Sequence, residues 1–366
     1  VAIAATNAMH YDAARIGNHE FNDGVPALRR ALATAAFPLL AANVSGGPAP
    51  AAWRPYAIVE RDGVKVGIVG ATTPGSMVWD ASNLRAAHVT VGAIAPALAK
   101  GVAAARAAGA DVIVVVAHAG ISGESNYDTL AAQTGGENPM AQVPREVPGI
   151  DLIVFGHTHR EVPDTVIDGV LFTQPRNWAA SVSLAHLVVE KSGATWRVVS
   201  KRASVVRAAG HPESAAVVAA SERGHDDART YAHTVIGRTG VAWSADSSRV
   251  ADVPIMDFIH QVQMDTVKTG LSAADAALPL ISVAAPFSRT ADIPAGNVTI
   301  KDIAGLYIYD NTLYGKKLTG AQLKDYLEYA AKYYHQVPAG TKVDTSTLTN
   351  ANSFWDYMYD TAAGVD

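Results

Sequence analysis

The sequence predicts an α/β layered fold, and three observations carry that reading. Two uninterrupted β-branched runs, residues 111–117 (DVIVVVA) and 151–155 (DLIVF), read as buried strands. Helical stretches alternate with strand stretches in the order strand, polar loop, helix, strand, which puts helices against a sheet. Polar clusters follow directly after the apolar runs, where open α/β sheets place their ligands.

The elements follow in order. Residues 3–15 are compatible with a short helix that leads into a Gly-Asn-His-Glu turn. Residues 25–36 read as a helix with Pro26 in its first turn. Residues 37–43 form a short apolar strand. Residues 56–60 and 64–70 flank Arg61-Asp62-Gly63, a hairpin signal with its turn glycine. An Ala-rich helix spans 92–108, and the two β-branched runs come next. Strands are expected at 170–173, 183–190 and 196–201. Composition changes near residue 205. Residues 212–235 read as a solvent-facing helix, 252–266 as another, and 319–334 as a third. Thr319 is placed as N-cap of that third helix, with Gln322 at the capping-box spacing. Leu323, Leu327, Ala330 and Ala331 form its apolar face.

With 366 residues, 49% hydrophobic and 17% charged, the chain is long enough for two folded domains. A net charge of -5 provides no field to gather nucleic-acid polymers. The absence of cysteine excludes disulfides, zinc-thiolate sites and thiol catalysis, and fits an exported bacterial protein. No apolar run reaches the length of a membrane-spanning helix. The first residues carry no basic segment and do not read as a signal peptide; a beginning this abrupt is expected of a fragment.

Three segments carry the chemistry: Gly17-Asn18-His19-Glu20-Phe21, Ala117-His118-Ala119-Gly120 and Gly156-His157-Thr158-His159. A lone histidine after a strand is most often a hydrogen-bonded structural residue. In the last segment, two rings separated by one residue would share one side of an extended chain, and so converge. Neutral imidazoles, with the amide oxygen of Asn18, suit divalent transition metals. A pair of such ions also needs carboxylates. Asp12 and Glu20 are near, but neither follows a buried strand, so either carboxylates are missing or one ion binds weakly. His10, His88, His186, His211, His225, His233, His260 and His335 lack such partners and read as surface or packing residues. The Gly67–Thr73 stretch has no lysine where a phosphate-binding loop needs it.

These motifs resemble the calcineurin-like metallophosphoesterase superfamily. The two-domain layout resembles its 5′-nucleotidase family, and most closely the bacterial bifunctional 2′,3′-cyclic-nucleotide 2′-phosphodiesterase/3′-nucleotidase branch. Asn22 after Gly-Asn-His-Glu-Phe, the approach from Glu137-Asn138 to Val147-Pro148-Gly149-Ile150-Asp151 before Gly-His-Thr-His, and the stretches Ala284-Ala285-Pro286-Phe287 and Tyr307-Ile308-Tyr309-Asp310-Asn311-Thr312-Leu313 carry that likeness.

The resemblance implies a four-layer metallophosphoesterase sandwich lacking its first strands, over residues 1–205. A linker helix at 206–231 and a smaller α/β 5′-nucleotidase C-terminal domain at 232–366 would follow. The family's opening Asp-x-His and Gly-Asp strands are expected upstream of Val1, with further domain sequence after Asp366. Two divalent ions (Mn, Co, Zn, Mg or Fe) are implied. Asn18, His118 and His157 would ligate one, and His159 the other. His19 would be the catalytic histidine; the family pairs it with an acidic residue where this chain has Asn22 followed by Asp23. Tyr309 and Tyr359 would stack the base, Asn311 would line the pocket and Arg289 would contact phosphate or ribose. The implied substrates are nucleoside phosphates, hydrolysed from 2′,3′-cyclic to 3′-nucleotide and on to nucleoside. A 5′-nucleotidase or UDP-sugar hydrolase, and a non-catalytic nucleotide-binding protein, are the alternatives. A monomer in the periplasm or at the cell surface is expected.

Overall fold

Apolar runs and their turns set the order of elements in a computed structural model, which describes residues 1–122, 136–193, 195–307, 313–342, 344, 348–350 and 359–365. The chain divides into two compact units, Val1–Gly224 and His225–Asp366.

The first unit opens with helix α1 (Ala2–Ala8), strand β1 (Ala14–Arg15), helix α2 (Gly24–Leu32) and strands β2 (Leu39–Leu40) and β3 (Val44–Gly46). Then come β4 (Tyr56–Arg61), β5 (Val64–Thr72), the short helices α3 (Ser76–Trp79) and α4 (Ala81–Ala86), β6 (Val89–Val91), α5 (Ile94–Ala107) and β7 (Val112–His118). Helix α6 (Val143–Glu146), strands β8 (Leu152–Val154), β9 (Val162–Ile167) and β10 (Val170–Gln174), and the hairpin β11 (Ser181–Ser192) to β12 (Thr195–Arg207) follow, and the boundary between the units falls within helix α7 (Ala215–Ala232).

Six strands form one sheet in the order β4-β5-β7-β8-β10-β9. Its four inner strands run parallel, and β4 and β9 close the edges antiparallel. The β-branched run at 111–117 is an inner strand, as its continuous hydrophobicity requires. The hairpin β4–β5 turns at Asp62-Gly63, with φ 51 and 78, the paired positive values of a tight two-residue turn. Helix α5 buries Ile94, Leu98, Val102 and Ala105 in one cluster with Val69, Ile113, Val115 and Ile153. Each such aliphatic side chain contributes roughly 1.5–3 kcal/mol by leaving water. A second cluster joins Ile16, Phe21, Val25 and Leu28 to Leu39, Trp53 and Leu84. Buried Asn43 ties the two ends of this layer together. Its amide donates to Thr72 O (2.7 Å) and Gly92 O (2.8 Å) and accepts from Thr72 N (3.0 Å).

The helix expected over 3–15 ends at Ala8 instead. Asn7 donates to Thr34 O at 2.7 Å and accepts from Ala36 N at 2.8 Å, and His10 turns left-handed at φ 55. These long-range bonds outcompete the next helical turn. Ala14 and Arg15 then pair in parallel with Leu39 and Leu40.

In the second unit, β13 (Val235–Thr239) and β14 (Trp243–Ser244) precede helix α8 (Pro254–Lys268). Strands β15 (Ser282–Ala284), β16 (Asp292–Ile293) and β17 (Gly296–Thr299), helices α9 (Ile300–Leu306) and α10 (Gly320–Ala330), and β18 (Thr361–Ala363) complete it. Its core gathers Ile255, Met256 and Ile259 of α8 with Ala284, Ile293, Val298 and Leu306. The capping box at α10 is formed: Gln322 N donates to Thr319 Oγ1 (3.3 Å) and Thr319 N to Gln322 Oε1 (2.9 Å). Ala330 is buried, but Ala331, expected on the apolar face, is exposed because α10 gives way to a tighter turn there. Among the described residues no helix is long and apolar enough to cross a membrane.

Close packing makes one glycine a sharp test. A β-carbon on Gly70 of β5 would lie 2.4 Å from the backbone and side chain of Leu40. Gly70→Ala is expected to lower the unfolding free energy of the first unit by about 1–3 kcal/mol in urea titrations. Gly237→Ala, whose added methyl meets no heavy atom within 4 Å, stays within about 0.5 kcal/mol.

Candidate functional site

The parallel strands deliver the chemical groups to one edge of the sheet. His118 is the last residue of β7 and stands opposite Thr72, the last of β5. His157 follows β8 after Phe155 and Gly156, and buried Asn18 follows β1. His118 Nε2 lies 2.8 Å from Asn18 Oδ1, and the His118 and His157 rings are 5.1 Å apart. His157 Nε2 lies 2.8 Å from Glu137 Oε1, and the Trp79 ring packs 5.5 Å from His157. His19 and His159 are close enough for their charge to bear on His118 and on each other.

Two glycines of the motifs make room for these side chains. A β-carbon on Gly17 would press the His118 ring at 3.1 Å, and one on Gly120 would meet the Thr158 methyl at 2.3 Å. Gly120 N donates to Asn138 Oδ1 at 2.7 Å, which fixes the loop after β7 beside Glu137.

The expected reason for convergence of His157 and His159 does not hold. The strand ends at Val154, and both histidines adopt left-handed backbone, with φ 77 and 56. A turn closed by Thr158 N to Gly156 O (3.0 Å) places them. Buried Gln174 holds that turn, donating to Arg160 O at 2.7 Å and accepting from Thr158 Oγ1 at 3.3 Å. Left-handed non-glycine residues store roughly 1–3 kcal/mol each, and such strain concentrates at functional sites.

Electrostatics favour neutral imidazole here. Burial, then the nearby Arg15 guanidinium, then the neighbouring histidines push the His118 pKa down to about 2. Burial, then His157 and His19, lower that of His159. Arg15 itself is lowered by burial, partly opposed by Glu20. Its guanidinium reaches within 3.6 Å of where a β-carbon on Gly156 would stand.

Among the described residues three buried side-chain polar atoms lack a hydrogen-bond partner: Thr72 Oγ1, His118 Nδ1 and Asp80 Oδ2. Thr72 and His118 face each other across β5 and β7, and Asp80 connects through Asn22 to His19. Orphaned buried groups call for a missing partner. The donor types, the imidazoles of His118 and His157 and the amide oxygen of Asn18, suit a divalent cation at His118. Against a full two-ion site, no group of three or more carboxylate or imidazole side chains surrounds a common point among the described residues. Asn18 and Glu137 instead bond the imidazoles directly. Of the carboxylates weighed from sequence, Asp12 pairs with Arg61 at the surface and Glu20 accepts from Gly17 N at 2.6 Å.

Arg15, Trp79 and Asp80 were not singled out from sequence, and Glu137 was noted only within the stretch that resembles the family, with no role at the site. No spacing rule links them to the histidines; only folding brings them there. In the second unit, Tyr359 stacks on Tyr333 at 4.9 Å and meets Tyr334 edge-on at 5.0 Å. Arg289 is an electrostatic neighbour of the same Tyr333. Tyr309 and Asn311 lie outside the described residues.

Family models match twice: calcineurin-like phosphoesterase over residues 13–161 and 5′-nucleotidase C-terminal domain over 235–358. The chain is 30% identical over 99% of its length to the trifunctional nucleotide phosphoesterase protein YfkN of Bacillus subtilis, covering 26% of that protein. It is 29% identical to the 2′,3′-cyclic-nucleotide 2′-phosphodiesterase/3′-nucleotidase of Salmonella typhimurium, over 99% of this chain and 61% of the relative. The crystal structure of the calcineurin-like phosphoesterase YfkN is similar at 30% identity with a TM-score of 0.56, over 63% of this chain and 74% of that one. The chain thus spans about a quarter and about three fifths of these two curated relatives.

The depressed His118 pKa has a signed consequence for stability. With metal removed by chelator, unfolding free energy is highest above pH 6.5, the ordinary histidine value, and falls as pH drops, since unfolded His118 takes a proton that folded His118 refuses down to about 2. Urea titrations from pH 7.5 to 4.5 are expected to show a shallower pH slope for His118→Asn than for wild type, by up to about 1.4 kcal/mol per pH unit.

Proposed function

The chain belongs to the calcineurin-like phosphoesterases that carry a 5′-nucleotidase C-terminal domain, and we propose that it hydrolyses 2′,3′-cyclic nucleotides to 3′-nucleotides, and these to nucleoside and phosphate. The observation that carries this reading is the convergence of His118, His157 and Asn18, with the orphaned His118 Nδ1, at the C-terminal edge of the parallel strands. The names of the relatives give the substrate class.

Asn18, His118 and His157 would hold one divalent ion, and His159 is the described residue left for a second. A divalent ion, when bound, would supply an acidified water and neutralise charge on the phosphoryl oxygens. The protein's own groups do the rest. The low pKa of His118 keeps its ring neutral and its lone pair available at ordinary pH. The exposed His19, once protonated at Nε2, would donate to the leaving oxygen as charge develops. Arg15 adds a fixed positive charge for phosphoryl oxygens, and its guanidinium suits their fork-like geometry. Trp79 walls the His157 face against water. In the second unit, Tyr359 stacked on Tyr333, with Arg289 near, is the candidate platform for the nucleoside. The same reading has the protein act on nucleoside phosphates in the periplasm or at the cell surface.

The full-length protein, supplied with Mn²⁺, is expected to release 3′-AMP and then adenosine from 2′,3′-cyclic AMP, with 5′-AMP a poorer substrate. His157→Ala is expected to reduce kcat/KM by roughly a hundredfold or more, about 2.7 kcal/mol of transition-state stabilisation. Turnover unchanged in that variant rejects the site. Preference for 5′-AMP rejects the substrate assignment, and nucleotide binding without any turnover leaves a binding protein.

A further inference from the structure

We propose that Asp80, acting through the side chain of Asn22, is the positioning residue that fixes the tautomer and orientation of His19. The inference rests on the reading above only for what His19 then does. The geometry stands by itself.

His19 Nδ1 lies 2.8 Å from Asn22 Oδ1, and Asn22 Nδ2 donates to Asp80 Oδ1 at 2.9 Å. An amide has one accepting end and one donating end, while a carboxylate can only accept. Asp80 therefore draws the NH₂ of Asn22 toward itself and leaves Oδ1 facing the ring. An oxygen without hydrogen facing Nδ1 requires that Nδ1 carry the proton. The neutral ring then keeps the Nε2 lone pair free, so Nε2 can take up a proton and, as the imidazolium, donate it toward a ligand.

Asp80 has no other evident task. It is 4% exposed, and although it precedes α4 its side chain caps no backbone N–H. Its Oδ2 is buried without a partner, so the carboxyl group bears desolvation for a single bond. Burial raises its pKa, opposed by Asn22 and His19. A proton taken up would settle on the orphaned Oδ2 and leave Oδ1 accepting from Asn22, so the orientation survives titration. The backbone of the relay is held as well. Asn83 Nδ2 donates to Phe21 O (3.0 Å) and Asn22 O (2.8 Å), and the Phe21 ring is anchored at 0% exposure. Asp23, the acidic neighbour of Asn22 in sequence, sits at the N-cap of α2. The carboxylate behind His19 comes from 58 residues beyond Asn22.

The test uses the full-length protein, metal-free and labelled with ¹⁵N at histidine. Long-range ¹H–¹⁵N spectra report the tautomer, and His19 is identified by its loss in His19→Gln. Wild type is expected to show the Nδ1–H form. Asp80→Ala and Asn22→Ala are expected to move His19 to the Nε2–H form usual for an unconstrained ring. Each should also lower kcat on 2′,3′-cyclic AMP by roughly tenfold or more, with KM within about twofold. Asp80→Asn, which keeps an accepting oxygen, retains the Nδ1–H form. The double variant Asn22→Asp with Asp80→Ala, which puts a carboxylate directly on the ring, restores both signals. An Nε2–H ring in wild type, or an unchanged tautomer in both alanine variants, overturns the proposal. If the tautomers behave as stated but wild type hydrolyses no nucleotide, the positioning role stands and the hydrolase reading falls.

Discussion

The parallel register of β5 and β7 is the constraint on which the rest of the first unit depends. It sets Thr72 opposite His118 and ends both strands at the same edge. Strand β8 continues the pairing and releases the chain at Val154, just before the Gly-His-Thr-His turn. A slip of one residue in either pairing would turn His118 to the other face of the sheet and put an apolar neighbour in its place. The buried run of valines and isoleucines that fixes this register thereby fixes the site.

That edge is held under electrostatic and conformational tension. Burial, the Arg15 guanidinium and the neighbouring imidazoles disfavour charge on His118, and burial, His157 and His19 disfavour it on His159. Among the described residues Thr72 Oγ1 and His118 Nδ1 lack partners at that edge, at a cost of roughly 1–3 kcal/mol for each group. Two histidines are bent into left-handed backbone. The compensation lies in the two apolar clusters and in fully bonded groups such as Asn43 and Gln174. A cation among the neutral donors would relieve part of this tension, which is why the arrangement favours binding chemistry over a purely structural role.

The second unit answers a different physical demand. It collects aromatic rings, with Tyr333 buried beneath Tyr359 and hydrogen-bonded through its hydroxyl to Arg249 at 2.6 Å. Such a stack offers a rigid π-face with few rotors to freeze on binding. Phe287 and Tyr307, both within stretches that carried the family resemblance, meet edge-to-face at 4.8 Å. His260, read from sequence as a surface or packing residue, is buried between Ser282 Oγ and Thr361 Oγ1 at 2.9 Å each.

Local rules determined much of this protein before any folding was considered. Continuous β-branched runs gave the inner strands, Asp62-Gly63 gave the hairpin, and Thr319 with Gln322 gave a helix start; each depends only on neighbours in the chain. The motif histidines and Asn18 were legible because their residue types and glycine neighbours are themselves local. Tertiary structure alone decided how they meet. It replaced an extended His157–His159 segment with a turn, stopped α1 at Ala8 through bonds to residues near Thr34, and brought Arg15, Trp79, Asp80 and Glu137 to the histidines. Those contacts join residues tens of positions apart, and neither propensity nor periodicity encodes a distance across a folded chain.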